Sequence, residues 1–112
     1  MATTYSVLGQ KQSTGTISTY DTLVGPVAAS TSVILSTVAI CNASASAQTF
    51  RLAACASTTP ATKEFIEYGN TVPAYQTIYL TLGVVLDPTV KYLMCSSSSS
   101  SVSFNAFGVT NS

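Results

Sequence analysis

The chain of 112 residues carries four basic and four acidic residues, so its formal net charge is zero, and it contains no histidine. Four scattered cations do not form the basic patch that binding to nucleic-acid phosphates requires, and without histidine every histidine-based catalytic mechanism or metal site is excluded. Because 46% of the residues are hydrophobic, the chain can bury a core, and its length predicts one domain spanning residues 1–112.

Short runs of β-branched and aromatic residues, separated by Gly, Pro, Asn, Asp and Ser, recur along the whole chain and predict strands. No run has a convincing helical period. The predicted strands in chain order are 4–10, a weak strand within 16–24, 32–42, 48–56, 63–68, the alternating segment 75–82, 90–95, and a last strand beginning at residue 102. Seven or eight short strands at this spacing predict an all-β fold, a single antiparallel β-sandwich that is Ig-like or jelly-roll-like.

Two connections between strands are predicted to be hairpins. Strands 32–42 and 48–56 are separated by a short Ala/Ser segment, and pairing them places Cys41 opposite Thr49. The six serines Ser96 to Ser101 separate two further strands and are interpreted as a hairpin loop with frayed strand ends. The predicted core consists of Phe50, Leu52, Ile78, Leu80, Leu82, Val102 and Phe104.

The segment around Leu86-Asp87-Pro88-Thr89 admits two interpretations. The alternate spacing of Leu86, Pro88, Val90 and Tyr92 is that of a tyrosine corner, in which the tyrosine hydroxyl bonds back to the turn. An ordinary Asp-Pro turn followed by a half-exposed tyrosine fits equally well. Either interpretation leaves the predicted fold class unchanged.

The three cysteines are predicted to be free thiols. In the hairpin register above, Cys41 and Cys55 lie about 20 Å apart along the ladder, whereas a disulfide needs Cα atoms within about 7 Å. An odd number of cysteines also leaves one thiol over from any single disulfide. Their spacing, without histidine, forms no zinc motif.

No group of residues points to catalysis. Glu64 and Glu67 are three apart in a predicted strand and so project to opposite faces, while Asp21 and Asp87 occupy turns. The sequence has no phosphate loop, no glycine-rich nucleotide fingerprint and no Gly-x-Ser-x-Gly elbow. We therefore expect no enzyme, no catalytic residue, no cofactor and no metal.

A possible partner-contact face is predicted on the alternating segment, where Tyr75, Thr77, Tyr79 and Thr81 project away from Ile78 and Leu80. Tyrosines suit contacts with a protein or a sugar that remain partly exposed to water. Tyr and Thr are, however, also simply good strand formers on an outward face. Sparse charge and zero net charge favour a subunit covered by neighbours over a Ser/Thr-coated free monomer.

The chain is expected to lack a membrane span and a signal peptide. Its most apolar stretch, 33–41, is far shorter than the 20 or so residues that a spanning helix needs. The first residues lack the basic start and apolar run of an export signal. Synthesis in a cytoplasm is therefore expected.

Five short blocks, in order along nearly the whole chain, together resemble small virion proteins of tailed bacteriophages, especially phages of aquatic bacteria and cyanobacteria. The blocks are Val7-Leu8-Gly9-Gln10, Cys41-Asn42, Thr49-Phe50-Arg51, Thr81-Leu82-Gly83 and Ser103-Phe104-Asn105-Ala106-Phe107-Gly108. The resemblance implies a non-enzymatic virion subunit that is made in the host cytoplasm. It would decorate or cement the capsid, or attach to the neck, tail or baseplate.

The partners implied by this resemblance are other virion proteins, such as the major capsid protein or a tail, neck or baseplate protein. A homo-oligomer is expected, with a trimer preferred by analogy with phage decoration proteins. The alternative is a host-recognition or glycan-binding module of a phage fibre, in which Tyr75, Thr77 and Tyr79 would read the glycan.

Overall fold

The computed structural model describes residues 3–111, which form eight strands and one short 3-10 helix. The strands are β1 (Thr3–Gln12), β2 (Asp21–Val24), β3 (Ser32–Asn42), β4 (Gln48–Cys55), β5 (Phe65–Val72), β6 (Thr77–Leu86), β7 (Tyr92–Ser97) and β8 (Val102–Asn111), and the helix is Thr62–Glu64. The described chain contains no helix long and apolar enough to span a bilayer.

The strands form two antiparallel four-stranded sheets. Sheet A has the order β1-β8-β3-β6, and sheet B has the order β2-β7-β4-β5. Every connection except that between β4 and β5 crosses from one sheet to the other. This is the topology of the eight-stranded jelly roll, so the predicted all-β sandwich is confirmed and, of the two predicted variants, the jelly roll is the one present.

Both predicted hairpins are wrong. β3 pairs with β6 and β8 in sheet A, while β4 pairs with β5 and β7 in sheet B, so Cys41 does not lie opposite Thr49. β7 and β8 likewise belong to different sheets. A short polar connection is compatible with either a hairpin or a crossing between sheets, and only the long-range pairing decides between them.

The serine run is ordered structure rather than a frayed loop. Ser96 and Ser97 are fully buried in β7. Ser98 and Thr49 exchange two bonds: the Ser98 amide donates to the Thr49 carbonyl (3.0 Å), and the Thr49 amide donates to the Ser98 hydroxyl (2.9 Å). The Gln12 side chain donates to the Ser100 carbonyl at 2.8 Å. The serine run therefore bonds to both β1 and β4 where the chain passes from sheet B to sheet A between β7 and β8.

The core lies between the sheets and contains most of the predicted residues. Phe50, Leu52, Val102 and Phe104 are fully buried, and the Phe50 and Phe104 rings meet edge-on with centroids 6.3 Å apart. Ile78 and Leu80 are only partly buried against this core because they belong to the edge strand β6. The side chain of Leu82 lies outside the described part of the structure.

The turn between β6 and β7 is an Asp-Pro turn and not a tyrosine corner. The Asp87 carboxylate accepts the amides of Thr89 and Val90, both at 2.8 Å. These two bonds lower the pKa of Asp87, the Val90 amide contributing most. Within residues 3–111 the Tyr92 hydroxyl makes no hydrogen bond to this turn. Tyr92 instead packs against the cluster of Ala53, Cys55 and Met94 on sheet B.

Leu80→Ala is expected to lower the free energy of unfolding by only about 1–2 kcal/mol. Complete burial of a leucine contributes about 1.5–3 kcal/mol of transfer free energy, and Leu80 is only partly buried. Urea titration of the two proteins measures the difference. Thr81→Ala, which truncates an exposed neighbour, should stay within about 0.5 kcal/mol of the unmodified chain. Equal losses for the two variants would contradict the inward orientation of Leu80.

Candidate docking face on sheet A

The outward surface of sheet A is formed by four strands, and the strand register shows which side chains point outward. Opposed residues share a face of a sheet, so each row of partners across β1, β8, β3 and β6 either faces the core or faces out. We call the outward set the uncharged face. It consists of Tyr5, Val7, Gln10, Gln12, Ile34, Ser36, Thr37, Ala39, Cys41, Thr77, Tyr79, Thr81, Val85, Ser103, Asn105, Phe107 and Val109.

Two bulges determine which side chains belong to this face. Val7 pairs with Phe107 but Gly9 already pairs with Ala106, so β1 contains one extra residue, and the alternation of β1 changes there. A similar shift occurs in β3 between Leu35 and Thr37.

The bulge in β1 removes a positive charge from the uncharged face. Without it, strict alternation would place Lys11 on the same side as Val7. In the structure, Lys11 instead pairs with Phe104 and lies on the core side of the edge strand.

A band of apolar side chains crosses one end of the uncharged face. Tyr5, Val109, Ile34 and Val85 form one row across all four strands, and Val7 and Phe107 lie in the next row. The exposed fraction is 69% for Tyr5, 51% for Val7, 40% for Ile34 and 53% for Val85. The Tyr5 and Ser36 hydroxyls lie 2.9 Å apart, and Ser36 donates to the Phe107 carbonyl at 3.1 Å. These bonds hold the band in place across three strands.

None of the eight charged residues belongs to this face. Lys11 is on its core side, Asp21 begins β2, Arg51 is in β4, Lys63 and Glu64 are in the 3-10 helix, Glu67 is in β5, Asp87 is in the turn after β6, and Lys91 precedes β7. The outward surface of sheet A therefore has no charged side chain, and all the charged side chains belong to other parts of the molecule. Such a face is suited to an uncharged partner and offers no ion pair to a charged one.

The predicted contact residues Tyr75, Thr77, Tyr79 and Thr81 are all exposed. Thr77, Tyr79 and Thr81 lie on the uncharged face along β6. Tyr75 does not belong to the strand: it lies in the preceding loop with a positive φ of 56°, and its amide donates to the Ser44 carbonyl at 3.1 Å. The apolar band cannot be recognised in the sequence, because its members come from four strands that are far apart in the chain.

A concave feature lies on sheet B. An open pocket of about 390 Å³ is lined by Tyr20, Pro60, Thr62, Phe65 and Tyr68. The Phe65 ring meets the Tyr68 ring edge-on, with centroids 4.8 Å apart, and the Tyr20 ring at 5.9 Å.

The Arg51 side chain supports this aromatic group. Its guanidinium lies 4.0 Å from the centre of the Tyr68 ring and donates to the Tyr20 hydroxyl at 2.8 Å. The aromatic walls are thus held partly by a cation–π contact.

The acidic side chains are engaged in local structure. The Glu64 carboxylate accepts the amides of Ala61 (2.8 Å) and Ala56 (3.1 Å), and these bonds lower its pKa. Glu67 accepts a bond from the Asn70 side chain. Asp21 accepts both the amide (2.9 Å) and the hydroxyl (2.6 Å) of Thr14. Within residues 3–111, no group of three or more Cys, Asp or Glu residues is placed to hold a metal ion.

The three cysteines are free, as predicted, but for a different reason. Cys41 lies on the outer side of sheet A, Cys95 lies in the core between the sheets, and Cys55 packs with Met94 on the other side of sheet B. Cys41 belongs to the other sheet, about 10 Å away, whereas Cys55 and Cys95 lie on neighbouring strands of sheet B but project to opposite faces, three register positions apart. No two of the thiols are therefore oriented to form a disulfide.

We expect only Cys41 to react with iodoacetamide in the folded protein at a pH of about 8. Cys41 is part-exposed. Burial raises the pKa of Cys55 to about 11, and the nearby Glu64 carboxylate adds to the rise. Burial also raises the pKa of Cys95. Intact-mass spectrometry should show one label on the folded chain and three labels in denaturant. A folded chain that takes up three labels at similar rates would contradict the layered placement.

No protein-family model matches the sequence, and no curated protein matches it with significance. One solved structure, of infectious bursal disease virus, Gx strain, has a similar fold with a TM-score of 0.48 and 13% sequence identity. The similarity covers 97% of this chain and 36% of that chain. Similarity of this degree establishes neither a shared family nor a shared function.

Proposed function

We propose that this chain is a non-enzymatic structural subunit of a bacteriophage virion that docks its uncharged face on a neighbouring virion protein. In this role it decorates or cements the capsid, or it attaches to the neck, tail or baseplate. It is made in the host cytoplasm and functions in the particle without a cofactor. The proposal extends the resemblance of the five sequence blocks to virion proteins.

The observation that carries the proposal is that one four-stranded face contains no charged side chain. Four strands about 4.8 Å apart and roughly ten residues long cover about 600 Å². A standard interface buries about 800 Å² per partner, so most of this face would be covered by one neighbour. Contiguous exposed apolar side chains such as Tyr5, Val7 and Val85 are typical of interaction surfaces.

The fold is compatible with this role. Jelly rolls occur in viral capsid proteins and in lectins, which is support by analogy, because one fold serves many functions. The analogy therefore favours both a virion subunit and a glycan-binding module, and the exposed apolar band on the uncharged face favours the first.

Binding to purified phage particles tests the proposal. The particles are those of the phage whose genome encodes the chain, depleted of this protein, and the probe is the labelled chain. We expect saturable binding of the unmodified protein. Val85→Glu should weaken it at least about tenfold, because a carboxylate would be desolvated in an uncharged contact. Binding should change little between about 0.05 M and about 0.5 M salt, because no ion pair is screened.

Thr71→Glu on β5 is the matched control, since it adds the same charge at an exposed strand position on sheet B. It should leave particle binding unchanged. Absence of binding by the unmodified chain would contradict the virion role. Equal losses for Val85→Glu and Thr71→Glu would show that the contact is not made through sheet A.

The second candidate function is a glycan-binding module of a phage fibre. The aromatic pocket on sheet B favours it, because sugars stack on aromatic rings and Tyr68 is 61% exposed. A glycan array probed with the unmodified chain, Tyr68→Ala and Tyr79→Ala tests this function. Loss of a signal in Tyr68→Ala alone would place the glycan in the pocket, and loss in Tyr79→Ala alone would place it on β6. An array without any signal would exclude this candidate.

A further inference from the structure

Strand β6 is an open edge of sheet A. It contains ten residues with no charge and no proline, and in the described chain no strand is hydrogen-bonded to its outer side. Such an edge presents unpaired backbone amides and carbonyls, to which another strand can add. Natural sandwiches protect edges of this kind with charges, prolines, bulges or short strands.

The other three edge strands carry such protection. β1 is bulged, and it places Lys11 on the core side. It also approaches β2 so closely that a Cβ added at Gly9 would overlap the Leu23 carbonyl. β2 is only four residues long, and β5 carries Glu67 and two register shifts. β6 shifts register as well, between Thr81 and Val84, but its segment 77–81 is a regular stretch of edge strand without charge, proline or bulge.

The hydrogen-bond phase of β6 identifies the backbone groups that face the open side. The Asn42 amide donates to the Gln76 carbonyl at 2.9 Å, so Gln76 faces β3. Successive residues of a strand direct their backbone groups to opposite sides, so Ile78 and Leu80 also face β3. The amides and carbonyls of Thr77, Tyr79 and Thr81 therefore point to the open edge. After Thr81 the register with β3 shifts, which ends this regular segment.

The sequence of this segment is complementary to itself. Thr77-Ile78-Tyr79-Leu80-Thr81 has the same residue classes in both directions about Tyr79. An antiparallel copy centred on Tyr79 places Thr77 opposite Thr81 and Ile78 opposite Leu80, and the two Tyr79 rings lie side by side. Thr–Thr, aliphatic and aromatic cross-strand pairs all stabilise sheets.

The backbone phase fits the same arrangement. In a two-fold pairing centred on Tyr79, the hydrogen-bonded pairs are Tyr79 with Tyr79 and Thr77 with Thr81, twice. These are the residues whose backbone groups face the open edge. Each such pair exchanges two N–H···O bonds, so the ladder holds about six. No charge lies in the segment, and like charges therefore do not meet across the two-fold axis.

We propose that two copies of this chain pair through β6 in an antiparallel ladder centred on Tyr79, which joins their A sheets into one eight-stranded sheet. The axis stands perpendicular to the sheet, so both uncharged faces are on the same side. The backbone ladder forms along the edge of sheet A, and the side chains of Thr77, Tyr79 and Thr81 stay on the uncharged face beside it. It goes beyond the proposed virion role and does not depend on it.

Sedimentation velocity over a range of protein concentrations tests the pairing. We expect a concentration-dependent monomer–dimer equilibrium that is insensitive to salt. Tyr79→Lys places two positive charges side by side at the axis and should weaken dimerisation at least about tenfold. The side chain is 69% exposed, so the monomer should fold unchanged. Tyr75→Lys makes the same exchange at an exposed loop position and should leave the equilibrium unaltered.

Amide hydrogen exchange followed by NMR independently tests which amides of β6 face the second copy and which face β3. The amides of Thr77, Tyr79 and Thr81 should exchange rapidly in dilute protein and slowly in concentrated protein. The amides of Ile78 and Leu80 should be protected at both concentrations because they bond to β3. A strict monomer, a trimer, or a dimer equally sensitive to Tyr79→Lys and Tyr75→Lys would overturn the proposal. None of these results would affect particle binding through Val85.

Discussion

Replacing Phe104 with alanine is expected to lower the free energy of unfolding by about 3–5 kcal/mol, the usual cost of deleting a fully buried aromatic ring. Phe104 is completely buried in β8, a central strand of sheet A, and its ring packs edge-on against Phe50 from sheet B. The deletion leaves a cavity at the contact between the two sheets. Domains of this size are stable by about 5–15 kcal/mol, so the variant should lose a large share of its stability.

Urea titrations of the variant and the unmodified chain measure this loss. Ser103→Ala is the control, because Ser103 precedes Phe104 in β8 and belongs to the uncharged face. It should change the free energy of unfolding by no more than about 0.5 kcal/mol. A comparable loss in both variants would show that the two faces of β8 are not divided between core and exterior.

Asn42→Ala should be the second most damaging substitution, with a loss of about 3 kcal/mol. Asn42 is 1% exposed at the end of β3. Its side-chain amide donates to the carbonyls of Ser46 (2.9 Å), Val72 (3.1 Å) and Pro73 (3.2 Å), and its carbonyl accepts the amide (2.9 Å) and hydroxyl (2.7 Å) of Ser44. Alanine would leave several of these groups unpaired, and each buried unpaired group costs about 1–3 kcal/mol.

The loss should have a local signature as well as a global one. Thermal unfolding gives the global change, and hydrogen exchange of the Ser44 amide should accelerate beyond what the lower stability explains. Asn105→Ala, a part-exposed asparagine on the uncharged face, is the control and should alter neither quantity appreciably. If Asn42→Ala were no more harmful than Asn105→Ala, the connection from β3 to β4 would not depend on Asn42.

The positions of the strands can be predicted from the sequence more accurately than the pairing between strands. The limits of β3 were predicted to the residue, and those of β4 within one residue. Alternating side chains specify which face of a strand is buried, but they do not specify which strand lies beside it. The segment between β3 and β4 is compatible with a hairpin in the sequence. In the structure it crosses the sandwich and bonds to the buried Asn42, whose side-chain amide also donates to the Val72 carbonyl thirty residues away.

The docking face was predictable only in part, for a related reason. Thr77, Tyr79 and Thr81 were recognised because they alternate within one strand. Their apolar neighbours Tyr5, Val7, Ile34 and Val85 meet only through the register of four strands. The neutrality of the face depends on the bulge in β1 that moves Lys11 to the core side, and no composition or periodicity argument locates that bulge.

The central position of β8 has a consequence for biosynthesis. β8 is the last strand of the sandwich to be translated, yet it lies between β1 and β3 and pairs along its whole length with both. While it is still within the ribosome, β1 has no partner in sheet A and the core lacks Phe104. The sandwich can therefore complete its folding only after β8 has left the ribosome, and its predominantly long-range pairing implies a folding time of milliseconds to seconds. During that interval, the two neighbours of β8 are exposed to association with other nascent chains.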